Sequence, residues 1–286
     1  MAAPAAKVLT DNEPQDYWRV PLPASYLNWI GARIIGFVGT LRTLGAFALI
    51  ASGVLLSKRR IARSVVRPLI HRELVRSGLQ LLPMTLFVAV ALGLVVIGQT
   101  VSLLTRVGAH ELLGTVMVTA VVRELGPLIT ALIVLSRAGT AHVIELGTAR
   151  AMGEIEALEA INIDPMHYLV VPRLMGMAVG SFVLTIYLIL GALLSGYAWA
   201  FVQEVPLLPG EYFRQLASAL RGLDFVLLAA KTAVFGGVIA LVTCCHGLSQ
   251  PLRFHDVSRV TIRAVAHSIV ACVLIDALFI VVYLVA

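Results

Sequence analysis

The feature that most constrains this chain is a series of long stretches almost free of charged side chains. An α-helix needs about 20 consecutive apolar residues to cross the hydrocarbon core of a membrane. The sequence contains five stretches of at least that length, and few charged side chains interrupt them. They predict membrane-spanning helices at residues 77–105, 111–136, 174–202, 225–250 and 263–286.

The composition supports a membrane protein over a soluble one. Apolar residues make up 59% of the 286-residue chain and charged residues 13%, whereas soluble domains contain about 25% charged residues. This composition excludes an ordinary soluble enzyme, a disordered protein and a secreted disulfide scaffold. Together with the apolar stretches, it predicts an all-α polytopic membrane protein. Cys244, Cys245 and Cys272 lack the spacing of metal ligands.

The segment before the first span has three parts. Residues 1–25 form a polar extension in which no basic stretch leads into an apolar one, so no cleavable signal peptide is expected. Residues 26–57 are apolar but carry Arg33 and Arg42, which favours a helix in the membrane interface over another span. Residues 58–76 hold seven Lys and Arg and are predicted to be a basic cytoplasmic segment.

The distribution of positive charge predicts the orientation, because cytoplasmic loops are enriched in Lys and Arg. With five spans, 17 of the 22 Lys and Arg fall on the side of the N-terminus. Only Arg106, Arg214 and Arg221 fall on the opposite side. The N-terminus is therefore expected in the cytoplasm and Ala286 on the far side. On that far side, residues 203–224 predict a short amphipathic helix that caps the bundle.

The longest cytoplasmic loop, residues 137–172, is large enough to contact a partner. Helical periodicity there predicts one short amphipathic helix whose acidic flank is formed by Glu145, Glu156 and Glu159. Such a helix indicates a docking element for a partner protein. The alternative is a solvated loop helix without a partner.

Motifs of catalysis are missing from the sequence. It contains no G-x-x-x-x-G-K-[ST] loop for binding phosphate. His110-Glu111 begins a pattern similar to the zinc motif H-E-x-x-H, but Gly114 stands where the second histidine belongs. We therefore expect no enzymatic activity, metal or cofactor in this chain. Nucleic acid is not an expected partner either, because the net charge of +6 suits the anionic face of a membrane.

Ionisable side chains inside the predicted spans are functional candidates, because a charge within the bilayer is costly. Arg123 and Glu124 lie near the middle of the second span, directly before Gly126-Pro127, where proline kinks the helix. A kinked helix that carries charge favours a polar entrance or hinge in a transport path. The alternative is a buried structural pair.

Two further ionisable residues, Lys231 and Asp276, lie in the fourth and fifth spans at similar depths. They are predicted to form an interhelical ion pair that sets the register of these two spans. Replacing one partner would leave the other charge buried and unpaired. A single replacement is therefore expected to be more damaging than replacement of both residues by apolar ones.

The second span and the segments that follow it resemble a known family. The runs that carry the resemblance are RELGP at 123–127, SRAGTA at 136–141, ELGTAR at 145–150, IEALE at 155–159, IDP at 163–165, VPR at 171–173 and SRVTIRAV at 258–265. With Lys231 and Asp276, they are similar to the MlaE/YrbE permeases, the membrane subunits of bacterial ABC transporters that work with MCE-domain proteins. The resemblance defines a permease domain at residues 26–286. This sequence departs from the family pattern at Gly153-Glu154, where an acidic residue followed by Gln is typical.

The resemblance implies an architecture and a set of partners. It implies five spans, an N-terminal elbow helix within residues 26–57 and a cytoplasmic coupling helix within residues 137–172. Two copies would form a homodimer with a lipid-accessible cavity, and a separate ATP-binding subunit would bind ATP and Mg²⁺. An MCE-domain protein would sit on the outer face, and the family also allows a small STAS-type accessory subunit. The implied function is movement of phospholipids or other hydrophobic lipids between the bacterial inner membrane and the MCE-domain protein, in support of outer-membrane lipid asymmetry.

Particular residues are expected to fill these roles. The predicted substrate pathway contains Arg123, Glu124, Gly126 and Pro127. The residues implied in coupling to the ATP-binding subunit are Glu145, Gly147, Arg150, Glu154, Glu156, Glu159, Asp164 and Pro165. Two other classes stay open: a stand-alone secondary transporter or channel, for which inverted repeats would be evidence, and a non-transporting membrane scaffold. The lipid, the direction of its movement and the particular partners are open as well.

Overall fold

The structure, a computed structural model, describes residues 39, 42–51, 53, 63–108, 112–202, 209–249 and 256–285. Within these ranges the chain consists of helices and short turns, without a strand. The chain divides into two compact units, Met1–Gly45 and Ala46–Ala286, and the second unit holds all the long helices. The predicted polar extension, residues 1–25, and much of the predicted interfacial segment, residues 26–57, lie outside the described residues.

Eight helices organise the described part of the chain. In chain order they are α1 (Arg42–Ala51), α2 (Val66–Leu104), α3 (Gly114–Ala151), α4 (Glu154–Ala160), α5 (Met166–Val202), α6 (Pro209–Ala219), α7 (Gly222–Leu248) and α8 (Val257–Tyr283). Five of them, α2, α3, α5, α7 and α8, are long and apolar enough to cross a membrane. The predicted all-α fold with five spans is therefore confirmed. The short apolar helix α1 lies within the predicted interfacial segment.

The long helices extend beyond the predicted spans. Helical backbone leading into α2 begins at Arg63, inside the predicted basic segment 58–76. Helix α3 continues to Ala151, and α5 begins at Met166, so the predicted loop 137–172 is mostly helix. The physical reason is that charged side chains near these helix ends pair with one another. Charge therefore does not mark the end of a helix here.

The predicted amphipathic helix of this region is two helices rather than one. Gly153 separates them with a left-handed backbone, φ +77°, which glycine adopts without steric cost. Glu145 lies on α3, whereas Glu156 and Glu159 lie on α4 after the turn. The prediction of one continuous acidic flank was therefore wrong.

Helix α5 is the centre of the bundle and packs against both α2 and α7. Small residues bring these backbones together. A Cβ atom on Gly176 would lie 2.7 Å from Cγ of Glu73, and a Cβ atom on Gly236 would overlap the carbonyl oxygen of Met177. Small residues at helix interfaces are typical of membrane bundles, where close packing replaces the hydrophobic effect as the main driving force.

A large apolar cluster joins α6 to the long helices. It includes Val121 of α3, Ile189 of α5 and Tyr212 of α6. Burial raises the pKa of the Tyr212 phenol, so its hydroxyl stays protonated and donates to the carbonyl oxygen of Leu193 at 3.1 Å. Helix α6 thus lies within the predicted outer loop, residues 203–224, and is held onto the bundle.

Helix α8 is the least covered of the long helices. Within its most apolar stretch 11% of the residues are buried, against 39–56% in the other four. Large apolar side chains such as Ile262 and Leu278 are exposed along it. This surface is suited to lipid chains or to another apolar helix.

Candidate functional site

Five charged side chains from three long helices meet inside the bundle. They are Arg123 and Glu124 of α3, Asp224 and Lys231 of α7, and Asp276 of α8. We call them the intramembrane charge network. Each of these residues interrupts or borders an otherwise apolar helix. The packing of these helices against each other brings the five side chains together.

Lys231 is the centre of the intramembrane charge network. Its side chain is fully buried, and its ammonium donates to the carbonyl oxygen of Arg123 at 2.8 Å and to Glu124 Oε2 at 3.0 Å. Its Nζ atom also lies 2.7 Å from Asp276 Oδ1. A buried ammonium needs such partners, because an unpaired charge removed from water is strongly destabilising.

Arg123 forms a second ion pair, with Asp224. Its Nε and Nη2 atoms each lie 3.1 Å from a carboxylate oxygen of Asp224. The guanidinium also lies over the ring of Tyr283, 5.3 Å from the ring centroid, which is within the range of cation–π attraction. Asp224 Oδ2 accepts the backbone N–H of Arg221 at 2.9 Å. The same carboxylate thus caps the start of α7 and holds Arg123.

Gly126 and Pro127 shape the backbone that serves this network. Proline has no N–H, so the helical donor that would bond the carbonyl oxygen of Arg123 is absent, and that oxygen accepts from Lys231 instead. The preceding backbone, Val118–Leu125, is π-helical, a conformation that recurs at functional sites. A Cβ atom on Gly126 would lie 2.8 Å from a side chain of α5. The motif therefore builds an acceptor for Lys231 as well as a helix irregularity.

The network offers two of its charges to its surroundings. The side chains of Arg123 and Glu124 are 23% and 29% exposed, whereas those of Asp224 and Lys231 are 5% and 0% exposed. The partly exposed Arg123 and Glu124 are therefore each paired with a buried charge, Asp224 and Lys231 respectively. In apolar surroundings the electrostatic interaction of such groups with another charge is stronger than in water. They are suited to hold a polar or zwitterionic group inside the membrane.

The structure joins features that the sequence treated separately. Arg123 and Glu124 were assigned to a pathway, and Lys231 and Asp276 to a structural pair. Lys231 contacts Asp276 and Glu124 together, so these four residues belong to one site rather than two.

Two members of the site were missed by sequence reasoning. Asp224 was placed in the outer loop because it lies just before the predicted fourth span, and Tyr283 carries no charge. The available signal was spacing. Asp224 and Lys231 are seven residues apart, which places both on one face of a helix.

A second polar cluster joins α2, α3 and α5 at the end of the bundle next to α4. Glu145 of α3 pairs with Arg76 of α2 and, at 3.2 Å, with Arg173 of α5. Beside it, Glu73 of α2 pairs with the fully buried ring of His142 of α3. We call these five residues the Glu145 cluster. The contacts of Glu145, which was assigned to a partner protein, are thus with other parts of its own chain.

The other residues assigned to coupling have different surroundings. Arg150 and Glu156 form an ion pair at 3.2 Å between α3 and α4, Glu154 and Glu159 are exposed on α4, and Gly147 is buried in α3. Asp164 and Pro165 begin α5, where Asp164 Oδ1 accepts the backbone N–H of Met166 at 3.0 Å. The carboxylates of Glu154 and Glu159 on α4 are therefore the ones of this set that are exposed without an ion pair given above.

An apolar cavity of about 790 Å³ lies beside α4. Its walls come from α3, α4 and α5 and include Met152, Leu158 and Tyr168. Ile144 and Ile161 are exposed apolar side chains that line the same cavity. Exposed apolar surface with a polar rim is typical of a protein interface.

The described residues contain no group of three or more His, Cys, Asp and Glu that could hold a metal ion. The three cysteines are free and buried. No metal or cofactor site is therefore assigned within the described part of the chain.

Five helices long and apolar enough to cross a membrane define a multi-pass membrane protein, and the intramembrane charge network joins three of them. Residues 70–282 match the family described as Permease MlaE, and the chain belongs to that family. The resemblance to MlaE/YrbE permeases that the sequence motifs carried is thereby confirmed.

Curated relatives agree with this assignment. The chain is 27% identical over 246 residues to a probable ABC transporter permease protein of Rickettsia felis, with 84% of this chain and 91% of the relative covered. It is 26% identical over 249 residues to the intermembrane phospholipid transport system permease protein MlaE of Haemophilus influenzae, with 85% and 92% covered. It is 29% identical over 210 residues to the chloroplastic protein TRIGALACTOSYLDIACYLGLYCEROL 1 of Arabidopsis thaliana, with 72% and 58% covered.

Proposed function

We propose that this chain is the permease subunit of an ABC transporter that moves phospholipids or other hydrophobic lipids. The observation that carries the proposal is the intramembrane charge network, which offers Arg123 and Glu124 within an apolar helix bundle. A lipid needs both kinds of surface, one for its head group and one for its acyl chains. The name of the Haemophilus influenzae relative, a phospholipid transport permease, supports the same class of cargo.

Arg123 and Glu124 have the chemistry to meet a lipid head group. A guanidinium donates hydrogen bonds to phosphate oxygens, and a carboxylate accepts from an amine. Gly126 and Pro127 hold the irregular backbone that presents both side chains. Lys231 and Asp276 belong to the same pathway, because the buried Lys231 pairs with both Glu124 and Asp276.

The ATP-binding subunit is proposed to dock on the exposed residues of α4 and on Ile161, which directly follows α4. Two kinds of surface meet there, the exposed carboxylates of Glu154 and Glu159 and the exposed apolar side chain of Ile161. ATP and Mg²⁺ would be bound by that subunit, because this chain has no phosphate-binding loop. Docking next to the ends of α3 and α5 would let nucleotide-driven motion reach two long helices.

The remaining assembly is proposed from the family resemblance, the exposed surfaces and the charge distribution. The apolar surface of α8 supports a homodimer in which two copies enclose the lipid path. An MCE-domain protein would bind on the side of α6, and a small STAS-type subunit would bind the ATP-binding subunit. The concentration of Lys and Arg beside the N-terminus supports a cytoplasmic N-terminus in the bacterial inner membrane.

Purification of the tagged chain from native membranes in mild detergent tests this proposal. Mass spectrometry of the sample would identify the proteins and the lipids that remain bound. We expect an ATP-binding subunit, an MCE-domain protein and phospholipid. Recovery of a stable chain without an ATP-binding subunit would contradict the proposal and favour a secondary transporter, a channel or a scaffold.

A further inference from the structure

Glu145 forms ion pairs with residues of two other helices of its own chain. Arg76 of α2 and Arg173 of α5 both pair with its carboxylate, the latter at 3.2 Å. The side chains of Glu145 and Arg173 are 39% and 12% exposed, so solvent screens this contact less than it would an ion pair on an open surface. One carboxylate therefore links three long helices at a single point.

The contacts beside Glu145 strengthen the same junction. Glu73 of α2 pairs with the buried ring of His142 of α3. One turn further along α2, the Ser77 hydroxyl lies 2.7 Å from the carbonyl oxygen of Glu73 in its own helix and 3.2 Å from the carbonyl oxygen of Gly176 in α5. These contacts are polar and directional, so a shift of α3 along its axis must break them or move α2 and α5 with it.

Helix α4 is tied to the same stretch of α3. Arg150 pairs with Glu156 of α4 across the turn at Gly153, with 3.2 Å between Nε and Oε1. Between Glu145 and Arg150 the backbone of α3 is continuous α-helix. A displacement of α4 therefore acts on α3 little more than one helical turn from Glu145.

We propose that Glu145 is a positioning residue that transmits displacement of α4 to α2 and α5, rather than a residue that docks the ATP-binding subunit. The inference rests on the proposed function, since it assumes that this subunit binds at α4. It assigns docking to the exposed residues of α4 and transmission to the Glu145 cluster. Arg76 and Glu145 then act through the same contact.

The test uses the complex of this chain with its ATP-binding subunit, reconstituted in phospholipid nanodiscs. A spin label is attached to Leu79→Cys, because Leu79 is 62% exposed on α2 and the three native cysteines are buried. Spectra are compared before and after addition of ATP and Mg²⁺ for the unaltered sequence and for Glu145→Gln. The control is Arg67→Gln, which removes an exposed charge from α2 outside the Glu145 cluster.

The expected result separates docking from transmission. Glu145→Gln keeps the ATP-binding subunit bound but loses the ATP-dependent change of the label. In proteoliposomes that also hold the MCE-domain protein, lipid moved to acceptor vesicles per ATP hydrolysed falls about fivefold or more, the lower end of typical coupling between sites. Arg76→Gln gives the same loss, and the double variant is no worse than either single variant, as expected for two residues in one contact.

Three results would overturn the inference. Loss of the ATP-binding subunit from the Glu145→Gln complex would make Glu145 a docking residue. An unchanged label response would mean that Glu145 transmits nothing. Additive losses in the double variant would mean that Arg76 and Glu145 act separately. If the unaltered chain binds no ATP-binding subunit at all, the proposed function itself fails, which is distinguishable from every variant-specific result.

Discussion

A lysine ammonium buried in a membrane bundle is strongly destabilising unless groups of opposite charge and hydrogen-bond acceptors surround it. Lys231 donates to the carbonyl oxygen of Arg123 and to the Glu124 carboxylate, and it also forms an ion pair with Asp276. Removing Lys231 would leave Glu124 and Asp276 near each other without the cation between them. The stability of the bundle should therefore depend on the balance of charge at this point more than on any one side chain.

Lys231→Met is expected to lower the free energy of unfolding by about 3–5 kcal/mol, the usual cost of breaking a buried ion pair. The triple variant Lys231→Met/Glu124→Gln/Asp276→Asn removes the stranded charges and should recover most of that loss. Unfolding in mixed detergent micelles measures both. Arg214→Met, at an exposed ion pair, is the control and should change little. A triple variant as unstable as Lys231→Met would contradict this account.

The charged residues inside the spans could be located from the sequence, whereas their partners could not. Charges such as Arg123 and Lys231 stand out because an apolar helix surrounds them. Their pairing depends on how the helices turn toward each other, which no local pattern contains. For that reason Asp224 was missed, and Glu145 was assigned to a partner protein when its contacts lie on α2 and α5.

At the scale of helices, close packing between α5 and α7 depends on one glycine of an adjacent pair. A Cβ atom on Gly236 would overlap the Met177 carbonyl oxygen and the Ser181 hydroxyl, whereas a Cβ atom on Gly237 would only touch Leu174 Cδ1 at 4.0 Å. The two positions share a helix and differ in what faces them. They therefore separate packing from helix propensity.

Gly236→Ala is expected to destabilise the protein, and Gly237→Ala to leave it unchanged or to stabilise it by about 0.5–1 kcal/mol. The first substitution must push α5 and α7 apart, while the second only restricts the unfolded backbone. Thermal unfolding in detergent compares the two variants directly. Equal effects at both positions would show that this close approach does not limit the packing.

The existence of the five long helices could be predicted from the sequence, whereas their ends could not. Hydropathy identifies the apolar part of a helix, but it does not identify the part of the same helix that carries charged residues. Helices α2 and α3 continue past that point because residues such as Arg76 and Glu145 pair across the bundle. The break at Gly153 has a physical signal in its glycine, but only the positive φ shows that the helix ends there.

At the scale of the whole molecule, α5 is the one span between α4 and α6. These two short helices therefore lie on opposite sides of the membrane that α5 crosses. Glu154 of α4 and Glu211 of α6 are both exposed, and the native cysteines are buried. Single cysteines at these two positions can therefore report the orientation with a thiol reagent that does not cross membranes. The positive charge beside the N-terminus predicts which position lies inside.

Glu211→Cys is expected to react with such a reagent in intact spheroplasts, and Glu154→Cys only after the membrane is broken. The reason is that α6 lies on the outer side and α4 on the cytoplasmic side in the proposed orientation. The extent of labelling on each side is read by mass spectrometry of the purified chain. The reverse pattern would invert the orientation and with it the proposed docking side.

The most direct test of the central claim is ATP-driven lipid movement by the assembled complex. Proteoliposomes would contain this chain with its ATP-binding subunit and MCE-domain protein, and a fluorescent phospholipid would report movement to acceptor vesicles. We expect movement that requires ATP and that falls in Glu124→Gln, whereas Arg67→Gln, at an exposed position of α2, moves lipid as the unaltered chain does. Lipid movement that ignores ATP, or that is the same in Glu124→Gln, would contradict the claim that the intramembrane charge network forms part of an ATP-driven lipid path.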